Sequence, residues 1–430
     1  MKNLSIYQQL GNKRLEQLDG LRGICALVVA IFHTIEMPYL YGTLVGHPEP
    51  FYIKIMNVGA IVSVMLFFVL SGFVIGYTTQ QNYTKDESRK YIWRRLIRLY
   101  PVYLIALFLT FYIYHQSTGI WDILGHIFFL QTWLVPLNLD NPSLWSLHYE
   151  FIFYLLFLIV WKFNIKTEKA IVICFICAII SIFVSFHPFT ILGYFTVWLS
   201  GYWLSQNLDE FDLVSRDYSS YDFWTPIILM VLTALFFQDT LRRIMANFII
   251  LDSHQSIFSY SKAFDFHFPA LAFTVFSSLS LSIVGSLITR TRIPFYIVSL
   301  IFIIIVRVCF LLYGLIIDHS HIQSNSFLIY SVLGIAILLP LSFLIKNVPI
   351  NFLKKISYIG SFSYALYVIH YPIVFWFNRL SLTNSLFTRP LFLPFIIFIF
   401  PLLFSILISW FLECRLQPII SKKLKKYFNV

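Results

Sequence analysis

Apolar runs of about twenty residues recur from one end of this sequence to the other, each flanked by charge or by clusters of Pro, Gly and Asn. A run of that length is what an α-helix needs to cross about 30 Å of hydrocarbon, where the backbone must satisfy its own hydrogen bonds. The chain is therefore expected to be all-α, a polytopic transmembrane helix bundle whose main solvent is lipid. Composition agrees, with 59% of residues hydrophobic and 12% charged, the latter roughly half the fraction of a soluble domain. No stretch is long and polar enough to form a separate soluble domain.

Spans are placed near 24–40, 57–78, 100–116, 146–163, 170–186, 189–205, 223–240, 269–289, 293–316, 326–345, 357–378 and 391–413. The first twenty residues are polar and lack a hydrophobic core followed by a cleavage site, so no cleaved signal peptide is expected and the N-terminus is assigned to the cytoplasm. That assignment puts 24 Lys and Arg residues on the inner side and six (Lys54, Arg242, Arg243, Lys262, Arg379, Arg389) on the outer. Such a split is the positive-inside pattern, and it puts both termini in the cytoplasm. The net charge of +11 is thus topological and does not indicate nucleic acid. The stretch 120–134 is apolar but short, and counting it as a span breaks the parity, so a re-entrant or surface-lying helix fits better.

The expected organisation is a cytoplasmic segment (1–20), one membrane domain (21–413) and a basic cytoplasmic tail (414–430). Five cysteines lie within or at the ends of apolar runs; Cys174 and Cys177 form a CxxC with no partner pair, which reads as small buried side chains rather than a metal or redox site. The outer loop 241–268, with His254, Asp265 and His267, is either a receiving surface for an acceptor or a plain solvated connection.

Ionisable residues within a span are costly in lipid and tend to face the bundle interior. In LDGLRGICALVVAIFHT, Arg22 and His33 are eleven residues apart, about three helical turns, so they share a face about 16 Å apart along the axis. A histidine near mid-membrane can take a proton from an attacking hydroxyl, or be a buried ring bonded to a neighbouring helix; spacing supports both equally. In RKYIWRRLIRLYPVYL, a helix would cluster Arg94, Arg95 and Arg98 on one face, suited to gripping phosphates and equally to setting topology. Glu150, in NPSLWSLHYEFIFYLLF, is either an orienting partner for an imidazole or a structural partner of Arg307, the lone mid-span arginine. In ISYIGSFSYALYVIHYPIVFW, Ser363, Tyr367 and His370 share a helix stripe, a pattern more often interhelical hydrogen bonding than catalysis.

These residues, in this order, resemble the acyltransferase-3 family of integral membrane acyltransferases. The carriers are LDGLRGICALVVAIFHT (18–34), FFVLSGFVIG (67–76), RRLIRLYPVY (94–103), LWSLHYEFIFY (144–154) and SYALYVIHYP (363–372), which together extend nearly end to end. The resemblance implies that an acyl group, usually acetyl, passes from cytoplasmic acyl-CoA to a carbohydrate hydroxyl on or facing the outer side. It gives Arg22 and His33 the family's essential pair, Arg95 and Arg98 its cytoplasmic arginine motif, and Glu150 its tryptophan-linked glutamate. On that basis His33, Glu150 and Arg22 are the expected catalytic residues, and Arg94, Arg95, Arg98 and Arg22 the acyl-CoA site. Trp145, His370, Tyr367 and Arg307 are the expected acceptor contacts. No permanently bound cofactor and no metal are expected, and acyl-CoA is a co-substrate; the expected location is a bacterial cytoplasmic membrane. The family core is described with ten spans, so ten to twelve are expected here, without the soluble hydrolase-like domain that many members append. The competing class is a transporter of a glycan or lipid precursor, but no repeated half and no matched pair of broken helices is present.

Overall fold

A computed structural model describes residues 15–41, 51–79, 81–114, 119–131, 135, 141–180, 187–207, 350–383, 393 and 395–428, with 227, 283 and 284 besides. The segments predicted to span near 223–240, 269–289, 293–316 and 326–345, the loop 241–268 and Arg307 lie outside the described residues. The helices are α1 (Glu16–Tyr41), α2 (Phe51–Thr78), α3 (Lys85–Tyr114), α4 (Ile120–Ile127), α5 (Leu144–Lys162), α6 (Thr167–Ile180), α7 (His187–Gln206), α8 (Ile350–Lys355), α9 (Ser357–Gly360) and α10 (Ser363–Thr383). A last long helix follows, made of α11 (Phe400–Trp410) and α12 (Gln417–Phe428) with π-helical turns at Phe395–Ile399 and Phe411–Leu416. No β-strand is present among the described residues.

Five of these helical stretches are long and apolar enough to cross a membrane: Glu16–Leu40, Gly59–Thr78, Lys85–Ile113, Leu144–Lys162 and Phe395–Phe428. Their outer faces leave large apolar side chains uncovered, among them Phe108, Tyr112, Ile159, Leu403 and Leu407, which is costly in water and neutral in lipid. The described part of the short run at 120–134 holds the eight-residue α4, some 12 Å long and unable to span. Its C-terminal turn is held from outside: Tyr100 and Tyr103 donate to the carbonyls of Ile127 and His126, both at 2.7 Å.

The third predicted span was placed at 100–116, but α3 begins at Lys85 and runs unbroken through the arginine motif. Thr84 explains the early start. Its hydroxyl accepts the Glu87 N–H at 3.1 Å, and Asp86 and Glu87 lie in the first turn, where the helix dipole favours negative charge.

The described chain forms two compact units, one comprising Glu16–Val64, Gln81–Ile165 and Asn351–Val430, the other containing Met65–Gln80 and Lys166–Ile350. In the second, Gly72 and Gly76 of α2 meet α7 at Trp198 and Ser205, while Gly201 of α7 meets the Val69 carbonyl. A Cβ on any of the three would collide, so FFVLSGFVIG is a small-residue helix crossing. In the first unit, Gly20 of α1 lies on the Leu353 carbonyl of α8, and Gly360 of α9 on the Asp19 carbonyl. The glycines flanking Arg22 thus let the helix ends of α1 and α9 touch backbone to backbone.

Prolines inside two spans are matched by side-chain amides. Pro101 deprives the Ile97 carbonyl of its helical donor, and Gln417 Nε2 supplies one at 2.7 Å. Pro372 likewise frees the Val368 carbonyl, which Asn141 Nδ2 meets at 3.3 Å. Donors of this kind are what allow proline within a helix where water is absent.

Candidate active site

All the site residues described below belong to the compact unit built from α1, α3, α5 and the C-terminal helices. They form two groups, separated along α1 by the eleven residues from Arg22 to His33, about 16 Å.

The group nearer the start of α1 is charged. Arg22 Nη1 donates to Asp19 Oδ1 at 2.9 Å, an i,i+3 pair within α1. Glu150 and Glu413 also attract the Arg22 guanidinium, and Arg98 repels it. Arg98 is attracted in turn by Glu413 and Glu150. Tyr154 Oη donates to Glu150 Oε1 at 2.5 Å across one helical turn. Arg95 lies with its guanidinium over the rings of Tyr91 and Tyr154, 5.5 and 5.8 Å from their centroids, a geometry that stabilises a cation facing aromatic faces.

Accessibility divides the three arginines of the motif. Arg94 and Arg98 are exposed, one helical turn apart on the same face of α3, whereas Arg95 is half-buried between its tyrosines. Arg94 is 46% exposed, with Glu87 at 3.8 Å. Arg94 and Arg98 thus present guanidinium groups open to an anion, while Arg22 is less exposed and pairs with Asp19.

Glu413 belongs to the π-helical turn Phe411–Leu416. Its Oε2 accepts the Ala365 N–H at 2.8 Å in the first turn of α10, satisfying an amide that has no partner within that helix. A π-turn swings one residue out of the regular register, a feature often found at functional sites.

The second group is formed by imidazoles and phenols. His33 Nδ1 lies 3.3 Å from Glu36 Oε2, with both side chains largely buried. The His33 ring stacks on that of His370, centroids 5.3 Å apart and planes 24° from parallel, and meets the Tyr371 ring edge-on at 5.1 Å. Tyr371 belongs in turn to a buried apolar cluster with Met37, Val374 and Phe375. His370 is fully buried, and its Nδ1 donates to the Leu366 carbonyl at 2.9 Å. Tyr367 shares a 2.7 Å hydroxyl–hydroxyl hydrogen bond with Ser146, and its ring lies 6.2 Å from that of His370.

The structure thus brings Arg22, Arg98 and Glu150 together, and His33 with His370 and Tyr367. It pairs Glu150 differently from the sequence expectation: the carboxylate hydrogen-bonded to His33 is Glu36, and Glu150 meets Tyr154 within the arginine group. Trp145 packs edge-on against Tyr149 at 5.3 Å, and His148 Nδ1 donates to the Phe129 carbonyl at 2.6 Å. Sequence reasoning missed Glu36 and Glu413. Each is an ionisable residue inside a predicted span, and Glu36 is one turn from His33, so the cost of charge in lipid was the available signal.

In comparisons with known proteins, no curated protein and no solved structure matches. The sequence does match the acyltransferase-3 family, described as an acyltransferase domain, over residues 15–414. That match takes in α1 with both groups of residues and extends to Glu413 and Cys414 in the last long helix, so the chain belongs to the acyltransferase-3 family of membrane acyltransferases.

Proposed function

We propose that the protein is an acyl-CoA-dependent O-acyltransferase of a bacterial cytoplasmic membrane. It moves an acetyl group from cytoplasmic acetyl-CoA to a hydroxyl of a cell-envelope or exported carbohydrate. The positive-inside count supports ten to twelve spans with both termini in the cytoplasm. The observation that carries the chemistry is the hydrogen bond from His33 Nδ1 to Glu36. When Glu36 is ionised, it keeps the proton on Nδ1 and leaves the Nε2 lone pair free, the arrangement a general base needs.

In this mechanism the phosphates of acyl-CoA are held by Arg94 and Arg98, and the pantetheine arm runs along the α1 face towards His33. The acceptor hydroxyl attacks the thioester carbonyl while His33 Nε2 takes its proton. The carbon–oxygen bond forms, the carbon–sulfur bond breaks, and the proton returns to the departing thiolate. Arg22, Glu150 and Glu413 keep the charges of the inner mouth balanced as the phosphates enter and leave. The test is purified protein in liposomes given labelled acetyl-CoA and envelope carbohydrate. Labelled carbohydrate is expected, and its absence with active donor and sealed vesicles overturns the reading.

Two variants probe the parts. Glu36→Gln is expected to lower kcat roughly tenfold to a hundredfold, because an amide no longer holds the imidazole in one tautomer or stabilises its cation, and Glu36→Asp should recover part of the loss. The kcat–pH profile of Glu36→Gln, measured beside wild type, checks this; an unchanged profile removes Glu36 from the mechanism. Arg98→Ala is expected to raise the acetyl-CoA KM about tenfold with little change in kcat, as for a lost charge-assisted phosphate contact. Measuring KM with acetyl-CoA and with a donor lacking the nucleotide phosphates checks it, since the short donor should not distinguish the variant from wild type.

A further inference from the structure

His370 Nε2 is a buried hydrogen-bonding atom with no partner among the described residues. The other ring nitrogen, Nδ1, faces the Leu366 carbonyl, which only accepts, so Nδ1 carries the proton and Nε2 presents a bare lone pair. A buried acceptor left unmatched costs free energy, and the cost disappears when a ligand supplies a donor. The ring beside it, His33, also has its Nδ1 engaged, by Glu36.

Two stacked imidazoles with ring centroids 5.3 Å apart, each with its Nδ1 engaged, are spaced so that two hydroxyls on adjacent carbons, with hydrogen bonds of about 2.8 Å, can serve one ring each. From this we infer that the acceptor is a carbohydrate presenting a vicinal diol. One hydroxyl loses its proton to His33 as it attacks the thioester, and its neighbour donates a hydrogen bond to His370 Nε2. Tyr367, anchored on Ser146, packs beside the His370 ring and limits how far it can turn. A substrate with a single hydroxyl leaves His370 unmatched and is selected against, since a site built to bond a hydroxyl rejects ligands that lack it.

The inference rests on the acyltransferase reading, and one experiment separates the two. Wild-type protein in liposomes is given labelled acetyl-CoA with envelope carbohydrate, either untreated or first oxidised with periodate, which cleaves vicinal diols. In parallel, His370→Phe keeps the aromatic contacts with His33 and Tyr371 but removes the acceptor nitrogen. The expected result is label in the untreated carbohydrate only, with the acceptor KM of His370→Phe raised roughly tenfold to a hundredfold and the acetyl-CoA KM unchanged. Equal labelling of both carbohydrates, or a wild-type acceptor KM in a folded His370→Phe, overturns the diol while leaving acyl transfer intact. No label in either carbohydrate overturns both. If His370→Phe does not fold, the periodate comparison with wild type decides.

Discussion

Alanine in place of His33 is expected to lower acyl transfer about a hundredfold to ten-thousandfold, the range contributed by a positioned general base. The size follows from what the ring does at once. Its Nδ1 is tied to Glu36, its face stacks on His370, and its edge is met by Tyr371. The ring stacked on it, His370, has its Nδ1 on a backbone carbonyl instead of a carboxylate and so does not take over the role. Because the loss is in a transition-state interaction, it should fall on kcat while the acetyl-CoA KM stays near wild type. Initial rates in liposomes at saturating donor measure it directly. Transfer within a factor of three of wild type by a folded His33→Ala variant would remove the residue from the chemistry.

The largest structural effect is expected from Gly360→Ala. The added Cβ would strike the Asp19 carbonyl, and Gly23 of α1 faces the Gly360 amide from the same contact. Backbone cannot yield as a flexible side chain does, so α1 and α9 must separate, at a cost of about 1–3 kcal/mol and more if the helices shift as units. The consequence reaches the chemistry because Arg22 sits between Gly20 and Gly23 and leans on Asp19. Detergent-solubilised Gly360→Ala should melt well below wild type and transfer acyl groups poorly even when folded. Ser361→Ala, one residue along, removes hydrogen bonds to the Tyr358 carbonyl and to Cys414 Sγ but adds no atom to the backbone contact, and is the control. Equal melting of both variants would show that the close approach carries no strain.

Much of the bundle was legible from the sequence because lipid imposes so few solutions. Apolar length marked where α1, α2, α5 and the last long helix run, since a spanning backbone has to be helical. The single-face relation of Arg22 and His33 was also readable, being a matter of helical pitch alone. The start of α3 was not. Its first three turns are polar, and their helicity depends on the Thr84 cap and on packing that hydropathy does not register.

Partner choice was the part that remained hidden. Glu150, which lies in a family motif, is the carboxylate the sequence reading set beside His33, whereas the one His33 meets is Glu36, one turn along α1. The His33–Glu36 pair is local, an i,i+3 contact within α1, whereas the approach of Glu150 to Arg22 and Arg98 depends on the rotation and crossing of several helices.

The first helix makes the division plain. Sequence alone determined that an arginine and a histidine share one face of a spanning segment, because that follows from a fixed rise per residue and the cost of charge in lipid. Only the tertiary structure decided that Arg22 joins Glu150 and Glu413 while His33 joins His370 and Tyr371. Those contacts bring together residues from helices as distant in the chain as α1, α5, α10 and the π-turn before α12, held where glycines let backbones touch and where amides satisfy the prolines.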